Sequence, residues 1–226
     1  MLSFDDVNAF GERVSEAVSR VAEDIASGDA VHENPISGQL TGRIKESLTG
    51  FETENVRWQV DTAPEAKGRV RLRARQLTSQ GGDSEETRYG ADIVFCLDIE
   101  LRDYVAKKGF LAQAKRLVYG DWMNNGAMKE LREQCAKMLS ITPASMVFLY
   151  SKEKIHVVSA VAIAASKSND VYSIPTYNID ILFRDFAMCW IGDPLLQATD
   201  TESLERLRRL SDARSAVLFR ATSVAA

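Results

Sequence analysis

Apolar residues recur at helical spacing in the first fifty positions and then mostly at every second position. Phe4, Val7, Val14, Val18, Val21 and Ile25 share one helix face, with Ser3 placed to cap its start and Gly28 to stop its end. A second stripe, Ile36, Leu40, Ile44 and Leu48, predicts a helix that Asn34 caps, Pro35 opens and Gly50 ends. The period then changes to two. "VRWQV" (56–60) and "RVRLRARQL" (69–77) alternate, whereas "ADIVFCLDIEL" (91–101) is a nearly continuous apolar run, the pattern of a strand buried on both faces. The polar, Gly-rich "TSQGGDSEET" between the last two reads as a loop. "GFLAQAKRLV" (109–118) predicts a fourth strand, reached through the loop "ELRDYVAKK".

Ala127, Leu131, Cys135 and Met138 predict a helix ending before Pro143, followed by strands at "MVFLY" (146–150) and "IHVVSAVAIA" (155–164). Helices follow around "NIDILFRDFAMCWIG" and "ESLERLRRLSDAR", the latter amphipathic through Leu204, Leu207 and Leu210, with room for a last strand in "SAVLFRATSV". A run of strands, a helix and further strands predicts an α/β fold, a mixed sheet with helices on both faces. It is not the strict alternation of a doubly wound fold.

The chain of 226 residues suffices for one sizeable core, and 45% hydrophobic with 27% charged residues is ordinary for a globular protein. A net charge of −4 gives no whole-molecule argument for nucleic acid or an anionic membrane, which leaves local patches. No stretch is long and apolar enough to span a bilayer, and "MLSFDDVNAFGERV" lacks the apolar centre of a secretory signal. Cys96, Cys135 and Cys189 are widely separated among apolar neighbours, which predicts buried thiols in a reducing cytoplasm. His32 and His156 are the only histidines and cannot assemble a Ser-His-acid triad; His156 reads as a packed histidine, and His32 stands beside Glu33. No Gly-rich phosphate cradle is present.

Candidate chemistry begins on the fourth strand. Phe110, Ala112 and Ala114 point one way, and Leu111, Gln113 and Lys115 the other. Asp92 opens the preceding strand. If the two strands are antiparallel neighbours, the three polar side chains converge at one end. A carboxylate binds Mg2+ through oxygen, and the bound cation lowers the pKa of its water and stabilises a leaving oxygen. Lys115 can offset charge on a phosphate, and the Gln113 amide oxygen can complete the metal shell or position water. That is the logic of phosphodiester hydrolysis.

"GAD" followed by "GFLAQAK" resembles the second and third motifs of the PD-(D/E)xK nuclease superfamily. Gln113-Ala114-Lys115-Arg116, with glutamine where an acid is usual, is similar to the form found in Mrr-type restriction endonucleases. The resemblance covers residues 33–150. It implies a restriction-endonuclease-like mixed sheet with an α-β-β-β-α-β core within residues 1–165, and a C-terminal helical extension over 166–226 packed on the same domain. It further implies a Mg2+-dependent endonuclease acting on DNA, with Mn2+ able to substitute and Asp92, Gln113 and Lys115 catalytic. Asp92, Gln113 and Glu33 would hold the metal; Glu33 is preferred to Glu46 because it stands by a helix N-terminus. The glutamine leaves the metal one charge poorer, so a second acid matters more. The setting implied is bacterial restriction or anti-phage defence in the cytoplasm, with partner proteins or as a homo-oligomer, and no membrane. The alternative is a non-catalytic subunit of a defence complex that keeps the fold.

Arg116 is a candidate nucleic-acid contact, as are Arg71 and Arg73 from the ladder Arg69, Arg71, Arg73, Arg75. The competing reading of that ladder is the solvated face of an edge strand paired with Glu65, Glu85 or Glu86. Trp122, just after the lysine strand, either stacks on a base or covers the core edge; Trp190 also flanks a polar stretch.

Overall fold

A computed structural model describes residues 1–29, 33–55, 68–78, 90–118 and 120–224. The strand expected over 56–60, together with His32, Glu65, Glu85 and Glu86, lies outside the described residues.

Helix α1 (Phe4–Ser27) is closed at both ends by the residues its pattern predicts. The Ser3 hydroxyl accepts from the Asp6 amide at 3.1 Å while the Asp6 carboxylate accepts from the Ser3 amide at 2.8 Å, a reciprocal cap. Gly28 ends the helix at φ 85°, a left-handed conformation that glycine adopts without steric cost. Helix α2 (Glu33–Ser47) begins one residue before the Asn34 expected to cap it. Its stripe Ile36, Leu40, Ile44 and Leu48 is fully buried.

The strands are β1 (Glu52–Asn55), β2 (Gly68–Thr78), β3 (Ile93–Leu101), β4 (Tyr104–Arg116), β5 (Ser145–Tyr150), β6 (Ile155–Ser159), β7 (Tyr177–Asn178) and β8 (Ser215–Val224). They form one mixed sheet in the order β1-β2-β8-β3-β4-β5-β6-β7. The remaining helices are α3 (Asn125–Leu139), α4 (Ala160–Ala165), α5 (Ile179–Ala187) and α6 (Thr201–Leu210). The expected mixed α/β sheet flanked by helices is therefore present.

Three local expectations need correction. The connection of β3 to β4 is not a long loop: Leu101 pairs with Tyr104, so only Arg102 and Asp103 make the turn. The apolar run 155–164 is not all strand. It leaves the sheet at Ser159 and becomes α4, because "AVAIAA" is rich in alanine, the best helix former. Nor is the segment 166–226 only helical. Its strand β8 lies inside the sheet, antiparallel to β2 and parallel to β3, and separates those two strands.

Each face of the sheet has its own core. On one, α1, α2 and α5 cover Ile93, Phe95, Phe110, Ala112, Phe148 and Phe219. Aromatic rings bind these layers together: Phe95 stacks on Phe110 at 4.9 Å, Phe110 meets Phe186 edge-on at 4.8 Å, and Phe10 meets Phe219 edge-on at 5.3 Å. On the other face, α3, α4 and α6 bury Val94, Cys96, Leu111, Val147 and Leu149. The chain reaches this second face beside Gly109, whose backbone exchanges two hydrogen bonds with Asp193 at 3.0 and 2.7 Å. A Cβ at Gly109 would collide with the Leu196 carbonyl. Among the described residues no helix is long and apolar enough to cross a membrane.

Candidate active site

The β3–β4 register, Ile93 opposite Ala112, brings Asp92 level with Gln113. The Asp92 backbone is fixed from both sides: its amide donates to the Ala112 carbonyl at 2.9 Å, and its carbonyl accepts from the Arg214 and Ser215 amides at 3.0 Å each. Its side chain is equally constrained. Oδ2 accepts from Gln113 Nε2 at 2.6 Å and from the Ala114 amide at 2.9 Å, while Arg214 Nε stands 3.9 Å from Oδ1. Asp92 and Gln113 are only 5% and 3% exposed.

Strand alternation puts Gln113 and Lys115 on the same face as Leu111, beneath α3. Lys115 Nζ lies 3.4 Å from Glu130 Oε1, and that same oxygen accepts from Gln134 Nε2 at 3.1 Å. Gly90 permits the close approach of α3. It has φ 75°, and a Cβ there would lie 2.6 Å from the Gln134 carbonyl oxygen, so a larger residue would push helix and strand entrance apart. Asp92, Gln113 and Lys115 thus occupy one end of one face, as the spacing predicts, and α3 adds Glu130 and Gln134.

Two oxygens are unsatisfied. Among the described residues Gln113 Oε1 and Gln134 Oε1 are buried without a hydrogen-bond partner. An orphaned buried polar atom costs about 1–3 kcal/mol, so such atoms call for a ligand, ion or water. Among the described residues no three His, Cys, Asp or Glu side chains converge on a point. The donors for a Mg2+ ion would be the Asp92 carboxylate and the Gln113 amide oxygen. Both are the hard oxygen donors this cation takes, and Gln113 Oε1 has no competing partner among the described residues, so the donor chemistry suits it.

The other predicted residues are placed less uniformly. Glu33 opens α2, but its side chain lies outside the described residues; one turn on, Ser37 Oγ is 3.3 Å from the Tyr150 hydroxyl, and Tyr150 pairs with Arg116. The start of α2 is therefore at the same end of the sheet as Lys115 but on the opposite face, so the structure does not bring α2 to the face that carries Gln113 and Lys115. Glu46 is not at that end: it is exposed at the far end of α2, in a surface groove with Arg13 and Arg20. Arg116 is exposed one residue past Lys115. Arg73 lies opposite Arg220, which is level with Asp98, six residues beyond Asp92 and so about 20 Å along the strands. Arg71 is farther still and pairs with Glu52 at 2.5 Å. The strand β2 that carries them is paired on both sides, not an edge.

Trp122 and Trp190 are 74% and 79% exposed, so neither covers a core edge. His156 is buried on β6 and packs edge-on against Tyr172 at 5.5 Å; burial holds its pKa below the usual value. Cys96 and Cys135 are buried thiols whose pKa burial pushes up to about 12, whereas Cys189 is only partly buried. Sequence reasoning missed Glu130, Gln134 and Arg214. A signal for the first two exists: each immediately precedes a predicted core residue, Leu131 or Cys135, at the i, i+4 spacing that places both on one border of the buried face.

Comparison with protein-family models, curated proteins and solved structures yields no match in any of the three.

Proposed function

We propose that the chain is a metal-dependent nuclease of restriction-endonuclease-like type, hydrolysing DNA phosphodiester bonds at the Asp92–Gln113–Lys115 end of the sheet. The observation that carries this reading is the junction of Gln113 with Asp92. Nε2 is spent on the carboxylate at 2.6 Å, which leaves Oε1 buried, unpartnered and available to an oxygen-seeking cation. The β3–β4 hairpin followed by α3 and the parallel strand β5 also agrees with the second half of the superfamily's core order. The insertion of β8 between β2 and β3 departs from its first half.

In this reading Asp92 and Gln113 hold Mg2+ or Mn2+, which when bound supplies a polarised water and positive charge at the leaving oxygen. Lys115 places an ammonium where charge builds on the phosphate. Glu130 orients that ammonium, and Arg214 steadies the Asp92 carboxylate. Arg116, exposed one residue past Lys115, and the exposed Trp122 are the candidate contacts for phosphate and base. By resemblance the setting is cytoplasmic bacterial restriction or anti-phage defence, with partner proteins or a second copy supplying the affinity an acidic chain lacks.

One observation favours the second reading, a non-catalytic subunit. Asp92 Oδ2 is already satisfied by two N–H donors, as in a purely structural buried pair. Two experiments separate the readings: calorimetric titration with Mn2+ and cleavage of supercoiled plasmid in Mg2+. The nuclease reading expects Mn2+ binding that Asp92→Asn abolishes and nicking that Lys115→Ala abolishes. Absence of both metal binding and nicking in the unaltered protein would leave the subunit.

A further inference from the structure

A second, separate concentration of charge lies on the sheet beyond α6. Arg73 on β2 stands directly opposite Arg220 on β8, adjacent strands about 4.8 Å apart. Like charges directly opposite one another in a sheet are destabilising. Arg220 has compensation on its other side, from Asp98 at 3.2 Å and Glu100 at 3.1 Å. Arg73 has no acidic partner among the described residues, and neither has Arg75, whose guanidinium donates to the Thr201 hydroxyl. The three arginines line a groove of about 400 Å3 over Leu218 and the Ala74 backbone, with Thr199 and Asp200 also in its lining. That volume is within the ~300–1,000 Å3 range of small-molecule sites. Asp200 is the one carboxylate in the lining among the described residues; its Oδ1 accepts from the Ser203 amide and hydroxyl as the cap of α6, and its Oδ2 from the Thr199 hydroxyl.

We propose that this groove binds the phosphate groups of a nucleotide-sized ligand, with Arg73 and Arg75 as its anchors. Guanidinium forks match phosphate oxygens in geometry, and two of the three here are uncommitted to any carboxylate among the described residues. A bound phosphate would offset the opposed Arg73–Arg220 pair, and Leu218 offers an apolar contact to a base or sugar edge. The inference is independent of the nuclease reading, because the groove shares no residue with the Asp92 site.

The test is titration of the full chain with ADP and with pyrophosphate in EDTA, which removes any contribution of a metal at Asp92. Both probes are expected to bind. The double variant Arg73→Ala, Arg75→Ala should weaken ADP binding at least tenfold, Arg73→Lys should recover part of it, and Asp92→Asn should leave it unchanged. The arginines are exposed, so the variants retain the fold, and an unaltered melting curve checks this. A twelve-nucleotide DNA strand added to the ADP complex distinguishes the source of the phosphate. Displacement at concentrations well below those ADP requires would overturn the small-ligand assignment in favour of a polynucleotide backbone. Absence of binding by either probe, or binding indifferent to the double variant, would overturn the site.

Discussion

Lys115 Nζ and Glu130 Oε1 face each other at 3.4 Å across the gap between β4 and α3, so a helix residue sets the position of the strand's cation. Glu130 is 61% exposed, and an exposed ion pair contributes about 0–1 kcal/mol. Glu130→Gln should therefore leave the melting temperature nearly unchanged. If Lys115 is the cation of a nuclease, its plasmid-nicking rate should nevertheless fall about tenfold or more, since orientation governs such sites. Equal rates for variant and unaltered protein would remove Glu130 from the proposed machinery.

Gln113→Glu tests the amide in the opposite sense. It would place a second carboxylate against Asp92 where the amide now donates at 2.6 Å. Two carboxylates so close cannot both ionise cheaply, so one of them acquires a raised folded-state pKa. Such a group costs no stability below its unfolded pKa of about 4.3 and progressively more as pH rises through its folded pKa. In EDTA the variant should melt lower than the unaltered protein at pH 8, and by less at pH 5. Mn2+ should restore the loss at pH 8. A melting difference independent of both pH and Mn2+ would show that no cation belongs there.

Asp98 carries its own pH dependence. It is fully buried, and burial pushes its carboxyl pKa up against the opposing pull of Lys107 and Arg220. Its ionised form is thus easier to reach unfolded than folded. Stability from this group is intact below about pH 4 and declines as pH rises through the folded pKa. Asp98→Asn does not titrate. Its urea midpoint, relative to the unaltered protein, should improve steadily from pH 3.5 to pH 7. A relative midpoint that worsens over that range would mean the flanking cations outweigh burial.

The position of β8 yields a sharper structural prediction. Deleting residues 215–224 would leave β2 and β3 without the strand that joins them, and would remove Val217 and Phe219 from the core together with the ring contact of Phe219 with Phe10. The truncated chain should fail to fold, lacking a cooperative urea transition. A truncated chain that still melted cooperatively would show that the sheet closes without β8.

What the sequence made legible was local. The period of 3.6 placed α1 and its two caps, and the period of two placed Gln113 and Lys115 on one face. Asp92 and Gln113 could be matched because a single hairpin connects their strands. Long-range order was not legible in this way. Nothing in "SAVLFRATSV" says whether it pairs at an edge or between β2 and β3, because an apolar strand satisfies either place. The alanine-rich run after Ser159 misled for the converse reason: alanine is compatible with a buried strand by hydropathy and with a helix by propensity. Glu130 was hidden because helix-to-strand proximity depends on Gly90, and a glycine announces a backbone freedom without naming the neighbour that uses it.

The strand order also constrains the sequence of events in the cell. Ile93 pairs with Ser215, and Thr78 with the same residue, so the middle of the sheet is assembled from segments far apart along the chain. During synthesis β2 and β3 emerge long before the strand that will separate them. Until β8 arrives, each presents an open row of backbone donors and acceptors at a place the finished molecule keeps covered. The nascent protein therefore passes through a period in which the wrong pairing, β2 directly on β3 or on a neighbouring chain, is available. Chaperone dependence and slow, concentration-sensitive refolding are its natural consequences.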